Sequence, residues 1–322
     1  ENYMNSNMNV FNKKTKKIAV SSNEIIKNMS TKVEHSKVSE ELIYSLHKIS
    51  VCGSHKQTSN CLNLLTALKN EILSINGDII QVCKEVMSLI KSIVNTIYKT
   101  TEVSAGIDNT CRYLKQINQL IASTPSDISS EKLKEDIIEK IDDFIYNKIE
   151  TKDIITNKRL KGEMGKNLIN DGDTILFYGK SKIFRKLAYE AKQQNINFKI
   201  VYVDTKRTNQ ISTEIEFLAK LGIPVTYTYL NGVSNIIDNV SKVLIKGESM
   251  LYNGFLKGKL GTALLACIAY NFKKPVIVFC QTFNFSDKIM FNSFSNNQGE
   301  YIKDKEFKEI TLDYDITPAN YI

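Results

Sequence analysis

The 322 residues are 42% hydrophobic and 24% charged, a composition typical of globular proteins and sufficient for two hydrophobic cores. No apolar run approaches the roughly 20 residues that cross a bilayer, so we expect no membrane partner. The net charge of +8 is dispersed along the chain. Its clearest cluster, Lys13–Lys17, lacks interleaved aromatic residues, so we expect no direct binding to nucleic acid.

The first half of the chain has the periodicity of helices after a polar tail. Residues 1–36 are polar and aperiodic, which is typical of disorder. Residues 37–170 then carry five apolar stripes at helical spacing, joined by short connections, so we expect an antiparallel helical bundle. The stripes are Leu42–Ile49, Leu62–Ile72, Val82–Ile97, Cys111–Ile121 and Ile137–Ile149.

From Asp171 the pattern changes to short β-rich runs that alternate with helical segments. This alternation is typical of right-handed βαβ units, so we predict that residues 171–322 form a Rossmann-like, doubly wound parallel sheet. The fold class is therefore α/β, with the helical bundle preceding the sheet. In such a sheet, ligands bind at the carboxyl ends of the strands. The predicted strands are Thr174–Tyr178, Phe198–Val203, Pro224–Tyr229, Lys242–Ile245 and Pro275–Cys280.

The run from Asn253 to Thr262 has the residue types of a phosphate site. The turn-forming pair Asn253-Gly254 precedes Lys259, and Gly261-Thr262 opens an apolar helix. Helix-start amides and a nearby ammonium group both favour an anion. Together with residues at the predicted strand ends, this run forms a candidate ligand pocket. Its members are Gly179, Lys180, Asp204, Glu248, Asn253, Gly254, Lys259, Gly261 and Thr262.

The sequence argues against nucleotide cofactors and metal ions. No Gly-x-Gly-x-x-Gly follows the first predicted strand, as a dinucleotide site requires. Gly179-Lys180-Ser181 matches the end of a P-loop, but position 174 is threonine where that motif needs glycine. The six cysteines show no C-x-x-C or histidine–cysteine ligand spacing. We therefore expect no cofactor, no metal and reduced thiols.

Several of these motifs, taken in order, resemble one superfamily. Its members include methylthioribose-phosphate isomerases, ribose bisphosphate isomerases and the regulatory subunits of eukaryotic translation initiation factor 2B. Further motifs in the helical half and after the fifth strand are similar to the delta-type regulatory subunits. The matching segments are Asp171–Leu176, Val203–Lys206, Gly222–Thr226, Asn253–Thr262, Pro275–Val278, then Gly53–Lys69, Val103–Lys115 and Phe279–Ser286.

The resemblance implies that an isomerase would use a cysteine after the first strand and an aspartate after the fourth to move a proton. Here these positions hold Gly179, which has no side chain, and Glu248. Because losing one acid–base group lowers the rate by roughly 10²–10⁴-fold, we expect no enzyme activity and a vestigial pocket. The alternative is a divergent sugar-phosphate isomerase or a sugar-phosphate-binding protein. A chain that assembles only with itself is a third possibility.

Three pocket residues allow two roles each. Glu248 either orders a sugar hydroxyl or has a structural role, in which it caps a turn or faces solvent. Lys259 either holds a phosphate or an interface carboxylate, or is an ordinary lysine at a helix start. Asp204 either orients neighbouring backbone amides or is a helix N-cap.

The resemblance also implies partners. A delta-type chain is expected to be a regulatory subunit of a cytoplasmic, decameric guanine-nucleotide exchange complex with alpha, beta, gamma and epsilon subunits, the last of which carries the exchange chemistry. It is expected to help bind the alpha subunit of initiation factor 2 and to sense its phosphorylation. The expected partner-binding surface is the outer face of the helical domain with Lys206, Arg207, Gln210 and Ile215. The expected subunit interface comprises Met250, Leu251, Phe255 and Leu256.

Overall fold

The computed structural model describes residues 39–52, 57–100, 103–125, 128–150, 168–206, 208–293, 312 and 314–322. The chain divides into two units, Glu1–Glu150 and Thr151–Ile322. The predicted tail, residues 1–36, lies outside the described residues. Residues 151–167, which precede the predicted domain boundary at residue 170, lie outside them as well. Ile169, which the sequence assigns to the helical domain, is fully buried in a core of the second unit.

The apolar stripes of the first unit lie on helices, and their apolar residues are buried, for example Leu42, Val86 and Ile141. The last helix begins where the Ser129 hydroxyl accepts a hydrogen bond from the amide of Lys132. The predicted helical region is thus confirmed, while the antiparallel arrangement stays a prediction. The helices are α1 (Glu40–Cys52), α2 (Gln57–Ser74), α3 (Ile79–Thr100), α4 (Ala105–Ala122) and α5 (Ser130–Phe144), which continues as the π-helical turn Ile145–Glu150.

The described residues of the second unit include a sheet of seven strands. Five of its strands are parallel and lie in the order β3-β2-β1-β4-β6. The strands are β1 (Thr174–Tyr178), β2 (Lys199–Asp204), β3 (Val225–Tyr229), β4 (Lys242–Met250), β5 (Leu256–Lys259), β6 (Val276–Phe279) and β7 (Tyr314–Thr317). The α-helices between them are α6 (Lys182–Gln193), α7 (Asn209–Lys220) and α8 (Thr262–Asn271).

The sheet is mixed, which corrects the prediction of a purely parallel sheet. β4 runs to Met250, five residues beyond its predicted end at Ile245, and turns back into β5 as an antiparallel hairpin. β7 then pairs antiparallel with β5. The sequence does not predict the hairpin because β5 has only four residues. Two of them are lysine and one is glycine, residue types that are uncommon in strands and typical of a loop.

The parallel strands are covered on both faces, as a doubly wound sheet requires. Side chains of β1 alternate between the two faces, so Phe177 packs with the α6 residue Phe184, while Leu176 packs with the α8 residue Leu265. β2 lies on one side of β1 and β4 on the other, so the strand order reverses between β1 and β4. The crevice at the carboxyl ends of these two strands is the expected ligand position of such a fold.

Candidate functional site

The carboxyl ends of the strands bring together Gly179, Asp204 and Lys259 from the predicted pocket. Gly179 follows β1, Asp204 ends β2 and Lys259 ends β5. The Lys259 ammonium forms an ion pair with the Asp204 carboxylate, whose side chain is 2% exposed against 42% for the lysine. A β-carbon built on Gly179 would lie 3.5 Å from the Lys259 side chain. Lys259, which the sequence predicts to bind an external anion, is therefore paired with a carboxylate of the same chain.

This geometry distinguishes between the two roles considered for Asp204 and between those considered for Lys259. Asp204 accepts a hydrogen bond from the adjacent amide of Thr205 at 2.6 Å, so it orients a neighbouring backbone amide. The N-cap of α7 is instead Thr208, whose hydroxyl accepts from the amide of Ile211 at 3.4 Å. Lys259 lies on β5 rather than at the helix start, which corrects the reading of an ordinary helix-start lysine.

The start of α8 already holds an anion, the carboxylate of Asp315 on β7. The amide of Gly261 donates to this carboxylate, and the amide of Ala263 donates to the same oxygen at 3.2 Å. Burial raises the pKa of Asp315, and the two amide donors oppose that rise. Thr262 is fully buried, and its hydroxyl donates to the Lys259 carbonyl at 2.5 Å. Sequence reasoning missed Asp315 because it lies 54 residues from Gly261.

Two buried tyrosines fix the backbone around this site. The Tyr178 hydroxyl donates to the Leu260 carbonyl, and the Tyr202 hydroxyl donates to the Gly179 carbonyl at 3.0 Å. Burial, reinforced by the nearby Asp204 carboxylate, raises the pKa of both tyrosines. Both hydroxyl groups therefore remain protonated donors at neutral pH.

Glu248 is the extra residue of a β-bulge. Gly247 pairs with Gly258 and Ser249 pairs with Lys257, so two steps along β4 match one step along β5. Glu248 is half-buried and lies within β4, three residues after the predicted strand end. The prediction that it follows the fourth strand is therefore wrong, because β4 continues past it to Met250.

Asn253 and Gly254 form the tip of the β4–β5 hairpin rather than a ligand pocket. The Gly254 amide donates to the Leu251 carbonyl at 3.0 Å, and Gly254 has φ 77°, the left-handed conformation that favours glycine. The Asn253 amide group donates to the Met290 carbonyl at 2.9 Å and so joins the hairpin to a neighbouring segment. Lys180, another predicted pocket member, is exposed.

The predicted partner-binding residues have different environments. Lys206 is exposed, and Arg207 lies outside the described residues. Gln210 belongs to α7, although its side chain is not among those described. Ile215 is partly buried against a core of the second unit, so it has less surface to offer a partner than the prediction assumed.

The predicted subunit interface needs correction at two residues. Leu256 is fully buried and Leu251 is 5% exposed, so both pack inside this chain. Met250 and Phe255 are partly buried. The same hairpin nevertheless displays Tyr252, which is 76% exposed, beside the segment that carries Phe291, which is 74% exposed.

These residues belong to an exposed apolar surface, the hairpin patch, which sequence reasoning missed. The amide of Tyr252 donates to the Lys288 carbonyl at 3.2 Å, and the rings of Phe255 and Phe291 meet edge to face at 6.2 Å. Exposed apolar clusters of this kind mark interaction surfaces. The hairpin patch consists of the exposed Tyr252, Phe285, Ile289 and Phe291 and of the partly buried Phe255.

Neither a metal-binding cluster nor a membrane-spanning helix is found in the part of the chain that the structure describes. No group of three or more histidine, cysteine, aspartate or glutamate side chains is placed there to hold a metal ion. None of the described helices is both long and apolar enough to cross a membrane. Near Gly179, Lys259 pairs with Asp204, and the Asp315 carboxylate accepts a hydrogen bond from the amide of Ala263.

Comparisons with known proteins agree on one family. A model of the initiation factor 2 subunit family matches residues 53–322. The delta subunit of translation initiation factor eIF2B from Dictyostelium discoideum is 29% identical over 74% of this chain and 40% of its own length. The chain thus spans less than half of that relative. A ribose 1,5-bisphosphate isomerase from Thermococcus kodakarensis is 25% identical over 72% of this chain and 73% of its own length.

A solved structure shares the fold. A chain in the tetrameric eIF2B-beta2-delta2 complex from C. thermophilum superposes with a TM-score of 0.75, covering 89% of this chain and 91% of that chain. The two chains are 22% identical, so this likeness concerns the fold alone.

Proposed function

Because the chain belongs to the initiation factor 2 subunit family, we propose that it is a non-catalytic regulatory subunit of the guanine-nucleotide exchange complex for initiation factor 2. In this role it assembles in the cytoplasm with alpha, beta, gamma and epsilon subunits, and the epsilon subunit carries the exchange chemistry. The chain helps to bind the alpha subunit of initiation factor 2 and to sense its phosphorylation. The similarity to a delta subunit supports this assignment.

The occupied anion site is the observation that favours a regulatory role over an isomerase role. Lys259 binds Asp204, and the amides at the start of α8 bind Asp315, so both elements suited to a phosphate hold carboxylates of the chain itself. Gly179 also lacks a side chain where the isomerase reading needs an acid–base group. Binding a sugar phosphate here would require breaking the existing ion pair.

The hairpin patch supports pairing with another subunit through the second unit. Its side chains Tyr252, Phe285 and Phe291 are large and exposed, and burying them in a complex removes apolar surface from water. The solved complex of the similar fold contains both beta and delta chains. We infer that the hairpin patch contacts the beta subunit, in place of the buried Leu251 and Leu256.

An activity assay tests the non-catalytic part of the proposal. The purified chain and its purified complex are incubated with ribose phosphates, and isomer formation is followed by mass spectrometry or coupled enzymes. We expect no turnover above that of buffer. Robust turnover that is abolished by Glu248→Gln would contradict the proposal, because it would show that the half-buried carboxylate still takes part in proton transfer.

A further inference from the structure

The sheet of the second unit has an open edge at β3. This strand pairs with β2 on one side, and no other strand among the described residues pairs with its outer side. None of the five residues of β3 is buried, whereas four of the five residues of β1 are. An edge strand presents a row of backbone amide and carbonyl groups that can pair with a strand of another chain.

The backbone groups of β3 alternate between its inner and outer sides. The Pro224 carbonyl accepts a hydrogen bond from the amide of Ile200 at 2.9 Å and therefore points toward β2. In a parallel ladder every second residue bonds to the same neighbouring strand. Val225 and Tyr229 belong to the other half of this alternation, so their amide and carbonyl groups point to the outer side.

β3 lacks the features that usually protect an edge strand from pairing. Charged side chains and bulges are common protective features. No charged residue lies between Lys220 and Asp238, a stretch that includes all of β3. The ladder with β2 runs through five successive residue pairs without a shift of register, so β3 has no bulge. Its outer edge is therefore regular and uncharged.

The other edges of the sheet are better protected. All four residues of β7 are buried, and the amide of Ile316 donates a hydrogen bond to the hydroxyl of Ser293 at 3.0 Å. β6 pairs with β4 alone, and two consecutive lysines, Lys273 and Lys274, precede it closely in the chain. These differences single out β3 as the edge most suited to adding a strand.

The sequence of β3 is complementary to itself about its central residue, Tyr227. When two copies lie antiparallel with Tyr227 opposite Tyr227, each Val225 faces Tyr229 of the second copy. Each Thr226 then faces Thr228 of the second copy. Pairs of an aromatic with a β-branched residue, and pairs of threonines, are favourable across antiparallel strands. A register shifted by two residues would pair only three residues of the strand, so this register is the one that uses its whole length.

We propose that two copies of this chain associate through the outer edges of β3, across a two-fold axis at Tyr227. The two sheets then form one continuous sheet, and the Tyr227 and Tyr229 rings, which meet edge to face at 5.5 Å in each chain, lie on the same face of the junction. Three strands separate β3 from β5, so this association leaves the hairpin patch accessible. The inference does not rest on the proposed function.

Sedimentation velocity of the purified chain over a wide range of protein concentration tests the association. We expect a reversible equilibrium between monomer and dimer, because a single pair of strands forms a small interface. Thr226→Lys/Thr228→Lys places lysines opposite each other in the dimer and should raise its Kd on the order of 10-fold or more. Thr66→Lys/Ser74→Lys adds the same charge at exposed positions of α2 and should leave the Kd unchanged. Circular dichroism shows whether each variant is folded.

Cysteine cross-linking tests the register. Thr226→Cys and Thr228→Cys are prepared as separate chains with different tags and mixed with oxidised glutathione, which is reduced as two thiols join in a disulfide. The proposed register brings the two positions opposite each other, close enough for a disulfide. We expect a cross-linked dimer from the mixture and none above that of the unmodified chain from either variant alone.

Three results would overturn the proposal while leaving the regulatory function intact. The first is a chain that stays monomeric at every concentration. The second is a dimer that persists unchanged in Thr226→Lys/Thr228→Lys, since the interface would then lie elsewhere. The third is cross-linking of each cysteine variant with itself to the same extent as in the mixture, which would exclude the register centred on Tyr227.

Discussion

At the scale of single residues, Gly261 shows why the sequence between β5 and α8 tolerates little change. Its φ of 97° lies in the left-handed region, which a residue with a β-carbon rarely adopts. A β-carbon there would also lie 2.5 Å from the Tyr178 hydroxyl oxygen and would collide with Leu230. Both effects act at the point where the backbone turns into the helix that Asp315 caps.

Gly261→Ala should therefore destabilise the chain more than the same change at Gly172. Both glycines have positive φ, but the space around Gly172 is open to 4 Å. We expect a loss of about 1–2 kcal/mol at Gly172 from the backbone alone, and about 1–3 kcal/mol more at Gly261 from overpacking. Urea unfolding measures both values. Equal losses would show that the contact with Tyr178 relaxes without cost.

Asp315→Ala tests the carboxylate that occupies the anion site. The substitution leaves the amides of Gly261 and Ala263 without their acceptor in a buried setting, and each unsatisfied group costs about 1–3 kcal/mol. Asp315→Asn keeps one carbonyl oxygen as an acceptor, so we expect a smaller loss in unfolding free energy. If the two variants were equally stable, the carboxylate would not be a cap for α8.

At the scale of secondary-structure elements, the β4–β5 hairpin combines a structural and an interaction role. Its inner residues Leu251 and Leu256 belong to cores of the chain, while Tyr252 at the tip is 76% exposed. The Asn253 side chain donates a hydrogen bond to the Met290 carbonyl and so joins the tip to the segment that carries Phe291. The hairpin can thus present a rigid aromatic surface without exposing its own core.

Tyr252→Glu/Phe291→Glu should abolish pairing with the beta subunit while the chain stays folded. Both side chains are exposed, so the charges meet solvent in the free chain but would be buried unpaired in the complex. Co-purification measures the pairing, and circular dichroism reports the fold. Tyr44→Glu, at a residue of the first unit that is 58% exposed, is the matched control. Retained beta subunit in the double variant would place the interface elsewhere.

At the scale of the whole molecule, the sequence predicts the helices and strands whose apolar residues recur at regular spacing. Helical stripes and the five parallel strands have regular apolar spacing, and the resemblance to delta-type subunits is confirmed by the family match and the similar delta subunit. Contacts between distant residues carry no such signal. Asp204 and Lys259 are 55 residues apart, and Asp315 reaches Gly261 from a four-residue strand with no preceding pattern. The exposed Tyr252 and Phe291 likewise have no shared periodicity, so only the folded chain brings them together.

Native mass spectrometry of complexes purified through this chain tests the central claim most directly. We predict assemblies whose masses correspond to this chain together with alpha, beta, gamma and epsilon subunits of initiation factor 2B. The complex with Tyr44→Glu should give the same masses, since that residue lies outside the hairpin patch. Recovery of only self-dimers, with no other initiation-factor subunit in any preparation, would contradict the account.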